Sequence, residues 1–340
     1  MPALPEADSA ALVLRLLLDD PSVDPGRIDW RVVGGMARRD RVPQRLAACL
    51  RRRGVRVPPR FADAVARDAA RRDHLLSLAA RLGETCERQG IPHVFLKLRQ
   101  PYPDAGQDVD LLLADRSPAA DHTVLDHLSV IRGQRRLHHR LAATTTYQVP
   151  ACAAVLDLHH GRLGRLGEHA RGADLVLRRR TLARVGSVTC FTPSLEDQLL
   201  LQAVAQSGGR RTLRLGDVYW TLATLRGGRV RWDALLPAAE LTGLLPGLSC
   251  HLDYADQIHE RLFGRSLLEA GIRGRLGRRA WGPVEFREGS YRFPVVRDTA
   301  RLCLQQLRDR LAAGDWAPAA RLCLYPVVAV GAGWRRPAAS

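Results

Sequence analysis

Asp108 and Asp110 stand two residues apart at the head of an apolar run, Asp108-Val109-Asp110-Leu111-Leu112-Leu113. In an extended strand alternate residues share a face, so both carboxylates point the same way while Leu111 to Leu113 anchor the strand in a core. Two like charges on one face of such a strand cost free energy unless a cation neutralises them. Magnesium suits that role, because it is a hard ion that binds through one or two carboxylates plus substrate phosphates. Two such ions can clamp the attacking and leaving oxygens of phosphoryl or nucleotidyl transfer.

Asp157 extends the pattern. It follows the apolar stretch Ala153-Ala154-Val155-Leu156, and His159 shares its face. A third carboxylate from a neighbouring strand completes a metal site or acts as general base toward an attacking hydroxyl. Lys97 is the chain's one lysine among 52 basic residues, and it follows the apolar run Val94-Phe95-Leu96 just ahead of the loop leading to Asp108. A compact ammonium there suits a phosphate, with Arg99 close enough in sequence to assist.

Other polar groups read more plainly. The pairs His138-His139 and His159-His160 are adjacent, so on a strand their imidazoles face opposite ways and make a poor zinc site. Ser207-Gly208-Gly209-Arg210-Arg211 lacks the glycine and lysine pattern of a phosphate loop and reads as a helix end. Asp253 and Asp256 read as a solvated helix face.

The elements that must position these groups fall into three stretches. Residues 1–90 read as helical, with leucines at 12, 14, 16, 17 and 18 and a long helix from Arg60 to Gln89, closed by Gly90 and Pro92. Residues 91–192 read as a small α/β or α+β core. It has strands at 93–96, 108–113, 144–149 and 153–158, and a helix over 117–131 capped by Ser117 and Pro118. Residues 193–340 return to helix. Ser194 caps the first of these, with Asp197 in the capping position. Further helices are expected over 212–225, 231–241, 248–263 and 297–313, with a hairpin over 285–293 turning at Gly289-Ser290. The fold class is thus α+β, a mixed sheet flanked by N- and C-terminal helical regions.

Bulk properties set the remaining bounds. A hydrophobic content of 46% over 340 residues is that of a globular protein with a sizeable core. No apolar run approaches the length needed to span a bilayer, and the N-terminus has no basic leader, so a cytoplasmic protein without a membrane partner is expected. The seven cysteines are scattered and form no CxxC pair, which reads as reduced thiols. A net charge of +17, nearly all arginine, attracts polyanions such as triphosphates. The arginines lie in short clusters with little aromatic interleaving, so nucleic acid is a possible but not a favoured partner.

Taken in order, these motifs resemble the uncharacterised nucleotidyltransferases of the polymerase-β-like superfamily. The matching segments are Phe95-Leu96-Lys97-Leu98, Tyr102-Pro103-Asp104, Asp108-Val109-Asp110, Leu156-Asp157-Leu158-His159, Pro193 to Leu199, and Arg214-Leu215-Gly216-Asp217-Val218. The resemblance runs from about Ile28 to about Phe263. It departs from the pattern at Leu98, where the family carries glycine, and at Gln107, where a small or acidic residue is expected. It implies a minimal nucleotidyltransferase fold binding a nucleoside triphosphate (ATP or another NTP) with two Mg²⁺. Asp108, Asp110 and Asp157 would be catalytic metal ligands. Lys97 and Arg99 would meet the triphosphate, and Arg214 and Asp217 would line the cleft from the helical side. The implied enzyme moves a nucleoside monophosphate to a hydroxyl or phosphate on a small molecule, peptide, sugar or RNA, releasing pyrophosphate. The alternatives are a non-catalytic nucleotide- or partner-binding protein on the same fold and a basic RNA-binding protein.

Overall fold

In a computed structural model, the chain is described over residues 6–324 except 107, 116, 118–119, 135–136, 153, 208–211, 278–281, 288–289 and 293–294. Four helices open it: α1 (Glu6–Leu17), α2 (Trp30–Arg39), α3 (Pro43–Arg52) and α4 (Pro59–Arg88). Asp29 caps α2 by accepting from the Arg31 amide at 2.9 Å. The helical spacing of Leu75, Leu78, Leu82 and Cys86 gives α4 a buried stripe, and Gly90 ends it with φ of 64°.

The central sheet contains β1 (His93–Phe95), β2 (Asp108–Leu113), β3 (Ile131–Arg132), β4 (Thr144–Val149) and β5 (Ala154–His160). Between them lie the short helices α5 (Ala120–Leu125) and α6 (Leu137–Ala142). The strand order is β1-β2-β5-β4-β3; β2 and β5 run parallel and every other pairing is antiparallel. Period-two alternation gives the sheet two faces. Val109, Leu111, Leu113, Leu156 and Leu158 pack with the α4 stripe and with Val124 and Leu125. Val94, Leu96 and Leu112 point the other way and are covered by Ala173, Val176 and Leu177 of α7 (Ala170–Arg178). Asp108 and Asp110 share this second face, beyond the part that α7 covers.

A hairpin follows, β6 (Thr181–Val185) and β7 (Val188–Thr192), turning at Gly186 with φ of 62°. It was not expected from the sequence, and β7 packs on α4 and β1. Next come α8 (Leu195–Ser207), β8 (Thr212–Leu213), α9 (Leu215–Arg226), α10 (Trp232–Thr242), α11 (Leu245–Phe263), α12 (Ala270–Leu276), β9 (Glu285–Arg287), β10 (Ser290–Arg292), α13 (Val295–Ala312) and α14 (Trp316–Cys323). The Ser194 hydroxyl accepts from the Asp197 amide at 3.1 Å, which is the expected cap of α8.

Strand pairing accounts for three departures from expectation. The helix expected over 117–131 is confined to Ala120–Leu125, because Ile131 and Arg132 leave it to pair with β4. The helix expected over 212–225 starts at Leu215, since Thr212 and Leu213 pair with β10. The hairpin over 285–293 gains β8 as a third strand, and its turn lies outside the described residues. The Gly208-Gly209 segment also lies outside them.

The first and last helical stretches share one core. Leu14, Leu46 and Leu50 pack with Leu215, Leu222, Tyr254 and Ile258. Among the described residues no helix is long and apolar enough to cross a membrane. Cys49, Cys86, Cys190 and Cys250 are buried free thiols, Cys303 is half-buried and Cys323 exposed; burial alone pushes the Cys190 thiol up to about 11.

Candidate active site

The parallel register of β2 on β5 sets Asp110 opposite Asp157, and the antiparallel register of β4 on β5 sets Thr146 beside Asp157. One row therefore reads Asp110, Asp157, Thr146 across three strands. The next reads Leu112, His159, Thr144. Thr146 Oγ1 donates to Asp157 Oδ1 at 2.6 Å. His159 stands between Thr144 Oγ1, 3.2 Å from its Nδ1, and Asp110 Oδ1, 3.1 Å from its Nε2.

Asp110 is 5% exposed and both its oxygens are engaged, because Lys97 Nζ donates to Oδ2 at 2.8 Å. Burial would raise this carboxyl. The Lys97 charge and the His159 hydrogen bond outweigh that and hold it below the usual carboxylate range. Asp108 is treated oppositely. Burial first, and the charge of Asp110 second, push its carboxyl up, against the weaker pull of Lys97 and Arg41. Among the described residues nothing donates a hydrogen bond to the Asp108 side chain.

A narrow cleft of about 50 Å³ opens over Asp108 and Lys97 and is walled by Arg41, Gln202, Arg214 and Asp217. The two residues expected from the helical side are thus in place. Asp217 Oδ1 accepts from Gln100 Nε2 at 2.9 Å, tying α9 to the loop after Lys97. Gly216 lets α9 come this close, because a Cβ there would sit 2.9 Å from the Asp40 carbonyl oxygen. Arg99 is placed elsewhere. It lines a neighbouring hollow of about 340 Å³ that shares Arg45 and Gln100 with the cleft.

The Tyr102-Pro103-Asp104 segment, which has a cis bond before Pro103, is a structural anchor. Asp104 Oδ1 accepts from the Gln44 and Arg45 amides at 2.6 and 3.3 Å, capping α3 from a distant loop. Arg45 returns the contact to the carbonyls of Gln100 and Tyr102, both at 2.7 Å. Burial pushes Asp104 up to about 7 against the pull of Arg45. Leu98, where a glycine was expected, turns its side chain toward the core beneath the sheet.

Thr144, Thr146, Gln100 and Asp104 carry no chemical signature in sequence. The alternation within Thr144-Thr145-Thr146 was the available signal, since it places the first and third hydroxyls on one face. His159 and His160 do face opposite ways, and His160 is buried beside Asp121 at 3.1 Å. Asp256 is not a solvated acid. It is 6% exposed and accepts from the Leu267 and Leu268 amides at 2.6 and 3.1 Å. Gln107 lies outside the described residues.

Among the described residues no three His, Cys, Asp or Glu side chains converge into a ready-made metal cage. What is present is an oxygen-rich pair, Asp108 and Asp110, one of them lacking a donor and the other neutralised by an ammonium. Such a set fits a hard divalent ion that takes its remaining ligands from phosphates. A family described as uncharacterised nucleotidyltransferase matches the chain over residues 26–260. No curated protein and no solved structure matches it.

Proposed function

The chain belongs to the uncharacterised nucleotidyltransferase family, and on that premise we propose that it moves a nucleoside monophosphate from a nucleoside triphosphate to an acceptor oxygen with magnesium at Asp108 and Asp110. The observation that carries this reading is the Asp108 carboxylate, half-buried beside Asp110 and without a hydrogen-bond donor among the described residues. An acid whose burial and like-charged neighbour outweigh the pull of nearby cations carries a cost that a bound metal ion removes.

Asp108 and Asp110 would hold the ion or ion pair, with Asp157 as the third carboxylate. A magnesium ion held by these carboxylates would supply Lewis-acid polarisation of the α-phosphate and charge neutralisation for pyrophosphate. With Asp110 among the residues holding the ion, Lys97, 45% exposed, would be available to the phosphates. Asp157, oriented by Thr146, accepts the proton of an acceptor hydroxyl. Arg214 and Asp217 border the donor from α9. The cleft's small free volume requires Lys97 or the α9 wall to shift as the donor enters. A cytoplasmic setting supplies the triphosphate and suits the free thiols.

A second reading, binding without turnover, is favoured by one observation: Lys97 already occupies Asp110. Melting curves with ATP, GTP, CTP and UTP, with and without Mg²⁺, separate the readings when combined with pyrophosphate release. A Mg²⁺-dependent shift for one NTP followed by pyrophosphate release supports transfer. A shift without release under any acceptor supports the binding protein, and no shift for any NTP defeats both.

A further inference from the structure

We propose that the hollow beside the carboxylate cleft is the acceptor site and that the acceptor carries a phosphate or carboxylate held by Arg99 and Arg229. This deepens the transfer reading above and rests on it. The hollow has a volume of about 340 Å³, within the range of small-molecule sites, and shares Arg45 and Gln100 with the cleft over Asp108. Its lining includes four arginines, 45, 52, 99 and 229, and no carboxylate.

Two of the four are already committed. Arg45 holds the Gln100 and Tyr102 carbonyls and lies over the Tyr219 ring at 5.1 Å. Arg52 pairs with Asp19 at 2.9 Å. Arg99 and Arg229 are exposed and make no hydrogen bond or ion pair among the described residues. Two planar guanidinium forks facing one hollow suit a phosphate or carboxylate. Trp220 adds an aromatic wall and follows Asp217 by three positions on α9, so one helix borders both donor and acceptor.

Electrostatics favours the same assignment. An anionic acceptor approaching a triphosphate meets Coulomb repulsion, and Arg45, which lines both compartments, together with the arginines of the hollow offsets it. In the reaction the acceptor oxygen attacks the α-phosphorus. The new P–O bond forms as the bond from that phosphorus to its bridging oxygen breaks, and pyrophosphate leaves with the electron pair. A hydroxyl acceptor passes its proton to Asp157; an anionic oxygen acceptor has none to pass.

The test is calorimetric titration of the full-length protein with phenyl phosphate, with phenol as the neutral control, in the absence of metal and nucleotide. Phenyl phosphate is expected to bind wild type and the Asp108→Ala variant alike, and phenol to bind neither. Combined Arg99→Glu and Arg229→Glu should weaken phenyl phosphate binding about tenfold or more, the loss of two charge-assisted contacts, and leave the Mg²⁺-dependent melting shift with NTP in place. If that pair fails to fold, Arg99→Gln with Arg229→Gln makes the same measurement without charge reversal. Phenyl phosphate that fails to bind wild type, or binds the arginine variant equally, overturns the assignment. Loss of the NTP shift in the arginine variant also overturns it, because the hollow then belongs to the donor. Failure of the transfer reading is distinct from these, since it appears as no NTP shift in wild type while phenyl phosphate still binds.

Discussion

Lys97 Nζ donates to Asp110 Oδ2 at 2.8 Å, so the chain's one lysine occupies the position of a cation at a buried carboxylate. The pair sets a pH signature. Asp110 titrates below its usual range in the folded protein, so its stabilising contribution is present above the unfolded value of about 4 and is lost as pH falls through the folded one. In Lys97→Met the ammonium no longer opposes burial. The ionised Asp110 then destabilises the fold near neutrality, and protonation relieves it. The melting temperature of Lys97→Met should fall furthest below wild type at pH 7, with the gap narrowing below pH 4. A gap that is constant across this range would show that the ion pair does not set the Asp110 titration.

Asp108 and Asp110 should respond oppositely to removal when no metal is present. Asp108→Ala removes a carboxylate that repels its neighbour and is expected to raise the metal-free melting temperature. Asp110→Ala removes the hydrogen-bond partner of both Lys97 and His159 and is expected to lower it. Both should reduce Mg²⁺-dependent pyrophosphate release by roughly 10²–10³-fold, the scale of losing one electrostatic contact to a transition state. Scanning calorimetry beside a pyrophosphate assay reads both effects.

Thr146→Val keeps a β-branched side chain in β4 and removes the hydroxyl that holds Asp157 Oδ1 at 2.6 Å. The turnover rate should drop about tenfold or more, within the range for a misoriented general base. The NTP-induced melting shift should stay at its wild-type size. A rate equal to wild type would remove Asp157 from the proton path.

Gly216→Val places a side chain where even a Cβ meets the Asp40 and Arg41 carbonyl oxygens at 2.9 and 3.1 Å. The N-terminus of α9 must then back away, taking Asp217 from Gln100. The cost should be about 1–3 kcal/mol of stability, as for overpacking elsewhere. The donor concentration for half-maximal rate should rise with it. Urea unfolding gives the first quantity and initial-rate kinetics the second.

The parts of the site that repeat along the chain were legible in sequence. The alternation of Asp108, Asp110 and the leucines around them fixed a strand and a face, and the Ser194 to Asp197 cap fixed the start of α8. Contacts set by tertiary approach were not legible. Nothing in Tyr102-Pro103-Asp104 says that the aspartate caps a helix some sixty positions earlier, because a capping residue normally lies next to the helix it caps. The β6–β7 hairpin escaped because Arg184 interrupts its alternation and Leu182 is 60% exposed, leaving a weak apolar pattern. Its Gly186-Ser187 turn was the surviving signal. Lys97 was read toward phosphate, whereas its partner in the structure lies on the adjacent strand, a pairing that only the β1–β2 register brings about.

The parallel pairing of β2 with β5 also bears on how the protein comes into being. Its two aspartates belong to neighbouring strands, but everything from α5 to β4 lies between them in sequence. Closing so long a loop is slow, because the entropy is lost before the contact forms. A nascent or truncated chain that stops short of β5 therefore has Asp108 and Asp110 with no opposing Asp157.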